Sequence, residues 1–544
     1  MKKSIILSLA IVALFCAGCE KFLNTKPLDT LTPQAYYTTE DQLNTALIGV
    51  YDIVGQEAVY GSAIYSTLGA CTDEGWYARS AQTSGIQVYN FDYSNTDVRN
   101  FWARLYEGIE RANLVIENVT KPTMDETKRG SVLGQALFLR AYFHFLLVSN
   151  FGDVPLKIKS TSTVNQTDIP RTPTKAVYAQ ILEDMTKAEG LLQPASQIGN
   201  YSSVISKNTV QGVLARVCLY MAGYPLRDLS KYAEALAWAK KVQTTGENEL
   251  LNTSDATQTV SGYTAFVNKP YSQIFINHAQ NIYNVKECMW EADYFGNFTD
   301  SYREAGRVGN VNGIAFSGSN SGVVGYSYGF INVTNKLYQL YGNGDTRRDW
   351  AIAPYYYNGN TLTVWPAATP STVYNRNVGK WRRSFEPSAS GGKNQNYTPE
   401  NFPILRYADV LLMLAEAENE VNGPTTVAYD AINQVRRRAY GLTSLTTPNA
   451  TADLPAGLDY DRFGDALRDE RARELCFEGL RRNDLIRWGL FLTTMKAVAA
   501  QFAADSPTAY GVLGYNNVAA RNELLPIPSA EMSVNRAITQ NPGW

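Results

Sequence analysis

The chain has 544 residues, with 49 Lys and Arg against 51 Asp and Glu, a formal net charge of −2 and no large block of either sign. That balance argues against a nucleic-acid binder. The length allows several domains, although a helical array can run this long as one body, and a slightly negative mean hydropathy with 45% hydrophobic residues describes a globular chain.

Lys2 and Lys3 precede an apolar run from Ile5 to Phe15, and the small residues Ala17 and Gly18 stand directly before Cys19. A basic start, a short apolar stretch and a small-residue cleavage site make a secretory signal. The run is too short for a bilayer, which takes about 20 apolar residues. A cysteine after the small pair is similar to a bacterial lipobox, which predicts removal of residues 1–18 and a lipid on Cys19. Cys16 stands where lipoboxes usually carry Leu, and an ordinary cleaved signal is the alternative. No other apolar stretch is expected to span a membrane. Cys71, Cys218, Cys288 and Cys476 show neither paired nor metal-ligand spacing and are expected to be buried thiols. No metal site and no cofactor is assigned.

Helices dominate the first half. Trp102, Leu105, Tyr106, Ile109, Ala112 and Ile116 recur at spacings of three and four, predicting a helix over Val98–Val119. Ser131–Ser149 is apolar almost all round, which predicts a buried helix ended by Gly152 and Pro155. A third is predicted over Thr174–Leu192. Ser206 caps a fourth that carries Val210, Leu214, Val217 and Tyr220, closed by Gly223 and Pro225, and Ser230 caps a fifth. These last two form a pair whose unit length of roughly 34–40 residues suits a tetratricopeptide-type repeat, with an unrelated helical hairpin as the alternative.

From about Asn252 to Glu400, Gly, Asn, Ser and Tyr dominate and long helical periods vanish. One helix is predicted at Thr334–Tyr341 and a strand at Leu362–Trp365. Loops of this length in a compact protein tend to carry function. Helices return at Phe402–Val421, Thr425–Tyr440, Tyr460–Glu478 and Asn483–Ala499. Leu467–Trp488 holds six arginines interleaved with five acids, which predicts an internal ion-pair lattice that fixes helix packing. The chain thus divides into 1–18, 19–250, 251–400 and 401–544: a signal, a helical part, a loop-rich part and a second helical part.

Several segments resemble one family, the SusD/RagB outer-membrane nutrient-binding lipoproteins of Bacteroidetes-type bacteria. They are WARLYEGIERANLVIENV, GQALFLRAYFHFLLVSNFGDVPL (Gly134 to Leu156), NFPILRYADVLLMLAEAENEVNG, AYDAINQVRRRAYGL (Ala428–Leu442), the Arg/Glu segment around Glu470–Trp488, and the C-terminal LLPIPSAEMSVNRAITQNPGW. The resemblance implies a mainly α, SusD-like fold with four tetratricopeptide-type units and a loop-rich half carrying the ligand site. It implies a non-enzymatic surface protein, anchored to the outer membrane through Cys19 and facing the exterior. Such a protein captures oligosaccharide or polysaccharide and passes it to a SusC-like TonB-dependent transporter. Some relatives take peptides, so a peptide ligand is the alternative.

Sugar rings offer an apolar C–H face and a rim of hydroxyls, so their binders need exposed aromatic planes beside fixed donors and acceptors. The chain has 35 Tyr, 9 Trp and 20 Phe. The first candidate patch is Thr72–Arg79. Here Trp76 and Tyr77 would stack on a sugar while Asp73, Glu74 and Arg79 hold its hydroxyls, with a structural turn that tucks Trp76 into the core as the alternative. Tyr89, Phe91, Tyr93 and Asn95 extend the same surface, whereas Trp102 fits the core. The second patch is the loop Gly313–Phe330 (GIAFSGSNSGVVGYSYGF), where Tyr326, Tyr328 and Phe330 present rings unless the loop is merely mobile. Around Asp293, Trp290 reads as strand core, Phe295 lies beside it, and Tyr294 is the ligand candidate.

Catalysis finds little support. His144 sits in the buried second helix and His278 in a loop, and there is no HExxH, GxSxG or Walker sequence. Gly306, Gly309 and Gly313 are too loosely spaced for a dinucleotide loop. A two-carboxylate glycosidase leaves no spacing rule and stays open, as do a Ca²⁺ site at Asn343-Gly344-Asp345 and a purely structural scaffold.

Overall fold

The structure, a computed structural model, describes residues 36–163, 167–199, 201–255, 257, 268–294, 306–387, 392–505 and 510–544. The signal, the lipidation expectation at Cys19 and Phe295 lie outside the described residues.

Among the described residues the chain forms twelve α-helices of seven or more residues and three two-stranded sheets. Helices α1 (Glu40–Gly55), α2 (Thr96–Asn118), α3 (Glu126–Phe151), α4 (Thr174–Leu191), α5 (Lys207–Ala222) and α6 (Lys231–Thr245) follow in order, each packed on the next. After α7 (Pro270–Ala279), α8 (Tyr407–Asn422) docks on α6 and α5. Helices α9 (Thr426–Ala439) and α10 (Tyr460–Leu475) then pack on α8, and α11 (Arg481–Arg487) and α12 (Phe491–Asp505) follow. The strands are β1 (Gly75–Tyr77), β2 (Cys288–Ala292), β3 (Ile331–Val333), β4 (Tyr355–Asn358), β5 (Thr361–Val364) and β6 (Phe402–Arg406). They pair antiparallel as β1–β3, β2–β6 and β4–β5.

Most helices expected from periodicity are present, with instructive differences. Ser206 caps α5, its hydroxyl accepting from Thr209 N at 3.2 Å. Ser230 does not cap α6; its hydroxyl donates to Asp228 at 2.6 Å. Helix α1 escaped the sequence reading, although Thr39 and Gln42 form a capping box ahead of Leu43, Leu47, Val50 and Val54. Phe402–Arg406, expected to open a helix, is strand β6. Pro403 has no N–H to donate in a helix interior, and the five residues are buried throughout. Asn483–Ala499 is broken near Gly489, at φ 70°, into α11 and α12. The loop-rich stretch contains α7, and His278, expected in a loop, lies on it. Helix α3 is long and apolar enough to cross a bilayer, contrary to expectation, yet 83% of its most apolar window is buried inside the fold. It is the central core helix, enclosed by α1, α2 and α4.

One hydrophobic cluster runs from Tyr37 to Ile538 and draws on all three stretches after the signal, so 19–250, 251–400 and 401–544 share a core. A smaller cluster gathers Cys71, Trp76, Tyr89, Phe491, Phe502 and Tyr515. Cys71, Cys218, Cys288 and Cys476 are buried free thiols.

The Arg/Glu segment forms an internal lattice. Glu474 accepts from Arg347 (3.0 Å), Arg406 (2.8 Å) and Arg438 (2.6 Å), and all four side chains are fully buried. Asp409 bridges Arg216 and Arg471 at 2.6 and 2.7 Å, tying α8 to α5 and α10. Five of the six arginines pair with acids. Arg482 instead donates to Asn522 O at 2.6 Å and Asn150 Oδ1 at 3.3 Å. Asp345, weighed as a Ca²⁺ ligand, is buried against Arg347 at 2.7 Å.

Candidate functional site

Strand pairing joins the two candidate patches. In β1, Trp76 lies opposite Asn332 of β3, and just beyond the strand Ala78 N donates to Phe330 O at 2.7 Å. Side chains alternate along an extended strand, so Trp76 points one way and Tyr77 and Arg79 the other. Trp76, only 4% exposed, enters the smaller cluster edge-on to Phe502 and Tyr510, at 5.3 Å from each. Tyr77, at 8%, packs on Phe330 at 5.7 Å. The exposed Arg79 guanidinium stands 4.6 Å from the Phe330 ring centre and 4.9 Å from that of Tyr328.

The second patch obeys the same alternation. Tyr326, Tyr328 and Phe330 recur every second residue and touch in turn, at 4.9 and 5.5 Å. Hydrogen bonds pin the loop that carries them: Phe316 and Ser327 exchange two, at 2.8 and 2.9 Å, and Tyr328 N donates to Asn310 O at 2.7 Å. Gly329 makes the close approach possible, because at φ 57° a Cβ there would lie 2.8 Å from the Ala315 Cβ. Tyr326 and Tyr328 remain half-buried, with part of each ring open to solvent. The Tyr328 hydroxyl donates to Asn396 at 3.1 Å, and Arg307 lies 5.7 Å from the same ring.

The remaining candidates are placed elsewhere. Asp73 is 2% exposed and holds Arg481 through two bonds of 2.8 Å and Lys336 through one of 2.8 Å. Burial alone would raise its pKa, but those two cations outweigh it and hold the carboxyl well below the usual range. Glu74, 5% exposed, accepts from Phe477 N at 3.1 Å. Burial, opposed by Arg481 and reinforced by the Asp73 charge, pushes it up to about 8. Tyr294 is 1% exposed, and its ring fills the space against Gly306. Asp73, Glu74, Trp76, Tyr77 and Tyr294 are therefore interior groups and not exposed ligand contacts. Asp73 and Glu74 are occupied in joining β1 to α11 and the turn before it. Trp290 and Trp102 are core residues, as expected. Tyr89 is buried and donates to Cys71 O at 2.8 Å, Phe91 packs on Trp544, and Asn95 caps α2.

Sequence reading missed Arg307 and Asn396, which carry no local signal. It also missed Tyr356 and Trp365, half-buried rings 4.3 Å apart on the β4–β5 hairpin. The Asn358-Gly359 turn between strand-like runs would have marked that hairpin. Neither Arg79 nor Arg307 forms an ion pair among the described residues. The result is two partly open rings, Tyr326 and Tyr328, backed by the buried Phe330 and flanked by guanidinium donors, an arrangement suited to a neutral, hydroxyl-rich ligand with an apolar face.

Catalytic geometry is not evident around this cluster. His144 is buried, with Nδ1 3.0 Å from Arg140 O, and burial drives its pKa down to about 3. Glu386 and Glu400 form a close carboxyl pair below the loop, 5% and 0% exposed, with Arg383 holding Glu386 at 2.6 Å. Their carboxyls are closed off from the ring surface.

A family model described as the SusD family matches residues 286–544, and one described as starch-binding associating with outer membrane matches residues 21–219. The chain belongs to the SusD/RagB family. SusD-like protein P2 of Formosa agariphila is 27% identical over 98% of both chains. The starch-binding protein SusD of Bacteroides thetaiotaomicron is 23% identical, over 99% of this chain and 98% of its own. The crystal structure of a SusD homolog from Bacteroides thetaiotaomicron superposes with a TM-score of 0.85 at 28% identity, covering 97% of this chain and 100% of that one. The mainly helical SusD-like fold expected from the sequence is thus the fold observed. The helix succession α1–α6 is a stacked array of neighbours.

Proposed function

We propose that this SusD-family chain is a glycan-binding protein of the outer membrane that captures oligosaccharide on the Tyr326 and Tyr328 rings, with Phe330 packed behind them. Arg79 and Arg307 would hold the sugar hydroxyls. It would be anchored through a lipid on Cys19, face the exterior, and pass its ligand without cleaving it to a SusC-like TonB-dependent transporter. The observation that carries the reading is the convergence of two distant segments, 72–79 and 313–330, on one surface of partly open rings and guanidinium groups that form no ion pair among the described residues. A relative named for starch binding and a family model described as associating with the outer membrane support the ligand class and the place. A stacked aromatic–sugar contact depends on ring area, so removing Tyr328 should cost most of the affinity.

The test is affinity electrophoresis of the chain from residue 20 onward through gels containing different polysaccharides. Retardation by one glycan, no release of reducing ends, and loss of retardation in Tyr328→Ala are expected. Release of reducing ends would contradict the binder reading. Retardation unchanged in Tyr328→Ala would move the site, with the Tyr356–Trp365 pair as the next surface to alter. No retardation by any glycan, with binding of peptides instead, would overturn the ligand class.

A further inference from the structure

Away from the ring surface, where α7 meets β2, three side chains of different chemistry converge in the interior. His278, Cys288 and Glu291 are 3%, 2% and 1% exposed, and one potential ligand atom from each lies within 4.8 Å of the others. His278 Nδ1 stands 3.0 Å from Glu291 Oε2. Its Nε2 is buried with no hydrogen-bond partner among the described residues, an unusual cost for a buried polar atom. A small cavity of about 10 Å³ opens beside all three residues, lined also by Asn277, Asn284 and Glu287. That is close to the room one water or one ion needs.

We propose that His278, Cys288 and Glu291 form a binding site for a divalent, thiolate-accepting cation of the Zn²⁺ class. The donor set fits that class: imidazole nitrogen, thiolate sulfur and carboxylate oxygen are the three ligand types of zinc, whereas Ca²⁺ and Mg²⁺ take oxygen alone. A tetrahedral centre with normal zinc bond lengths spaces its ligands roughly 3.3–3.8 Å apart, so the geometry is completed when the widest pair closes by about 1 Å and the 3.0 Å His278–Glu291 pair opens slightly.

Charge supports the assignment. A thiolate, a carboxylate and a neutral imidazole balance a divalent cation to zero, the arrangement a buried site tolerates best. Binding breaks the Cys288 S–H bond and forms a metal–sulfur bond. The thiol proton leaves to solvent. Because the thiol gives up its proton when the metal–sulfur bond forms, metal uptake and proton release are linked. A second layer is already present: the other Glu291 oxygen accepts from Ser202 at 2.7 Å and Asn401 at 3.3 Å, which fixes the carboxylate. The metal would clamp α7 to β2, and through the β2–β6 pairing it would brace the start of α8. This site is independent of the glycan reading, because none of its residues belongs to the ring surface.

The experiment uses the chain from residue 20 onward, which keeps every described residue, expressed in zinc-supplemented medium and assayed for metal after purification. Co²⁺ exchange then supplies a spectroscopic signature, since a thiolate ligand gives a near-ultraviolet charge-transfer band. About one metal per chain is expected, with a Co²⁺ band that disappears in Cys288→Ser and an affinity at least about tenfold weaker in His278→Gln. Circular dichroism identifies variants that retain the fold. If Cys288→Ser does not fold, the wild-type protein and His278→Gln decide. A folded wild-type protein that takes up no metal, metal bound without a thiolate band, or a band that survives Cys288→Ser would each overturn the proposal.

Discussion

Two arginine-rich regions of this molecule use the same residue types for opposite ends. In the lattice around Glu474, guanidinium groups are fully buried and each meets carboxylates at 2.6–3.0 Å. At the ring surface, Arg79 is exposed and lies over Tyr328 and Phe330, with no carboxylate partner among the described residues. A buried arginine spends its donors on the fold. An exposed one stacked on a ring keeps several donors for whatever arrives from solvent. Residue identity alone therefore does not separate architecture from recognition; the partner set does.

The largest effect should come from breaking the lattice. Glu474→Ala leaves Arg347, Arg406 and Arg438 buried beside a lost charge, and breaking a buried pair costs about 3–5 kcal/mol. Urea unfolding should show a loss of at least this size, or no folded protein at all. A change below about 1 kcal/mol would show that water or neighbouring acids take over the vacated place.

A pH experiment sharpens the same comparison within the Thr72–Arg79 segment. Glu74 is pushed up to about 8 in the folded chain from an ordinary value near 4.5. Below pH 4.5 both folded and unfolded states hold the proton. Between about 4.5 and 8 only the folded state does, so stability falls as pH rises, by up to about 1.4 kcal/mol per pH unit for one proton. Asp73 runs the other way: its depressed value contributes stability that is lost as pH falls through the acid range. Glu74→Gln keeps an acceptor for Phe477 N and should flatten the fall between pH 4.5 and 8. An unchanged pH profile would show that another group dominates.

The smallest effect is expected at the rim of the ring surface. Arg79→Ala should weaken glycan binding about tenfold or less while moving the unfolding midpoint little, since the side chain is exposed and cation–π contacts at such places are worth about 0.5–1 kcal/mol. Isothermal titration against the retarding glycan measures it. A loss of stability matching the loss of binding would assign Arg79 to the fold instead.

The helices were legible because their apolar residues repeat at the helical period and their ends carry caps such as Ser206. The lattice was legible as alternating charge in Leu467–Trp488, though not its partners: Arg347 and Arg406 sit far away in sequence. The first patch was misread because its burial is decided at long range. Glu74 meets Phe477 403 residues away, and Asp73 meets Arg481 at a similar separation, so no local pattern announces that these carboxylates are interior. Tyr326, Tyr328 and Phe330 were singled out through their glycine-rich setting. Their period of two, which sets all three rings on one face, is the stronger signal in retrospect. Arg307 became part of the surface only through folding.

The most direct test of the account is the Kd of Tyr328→Ala for the retarding glycan, measured beside its thermal unfolding midpoint. We expect binding at least about tenfold weaker, equivalent to about 1.4 kcal/mol, with unfolding shifted by only a few degrees. Wild-type affinity in a fully folded Tyr328→Ala protein would contradict the assignment of the ring surface as the binding site.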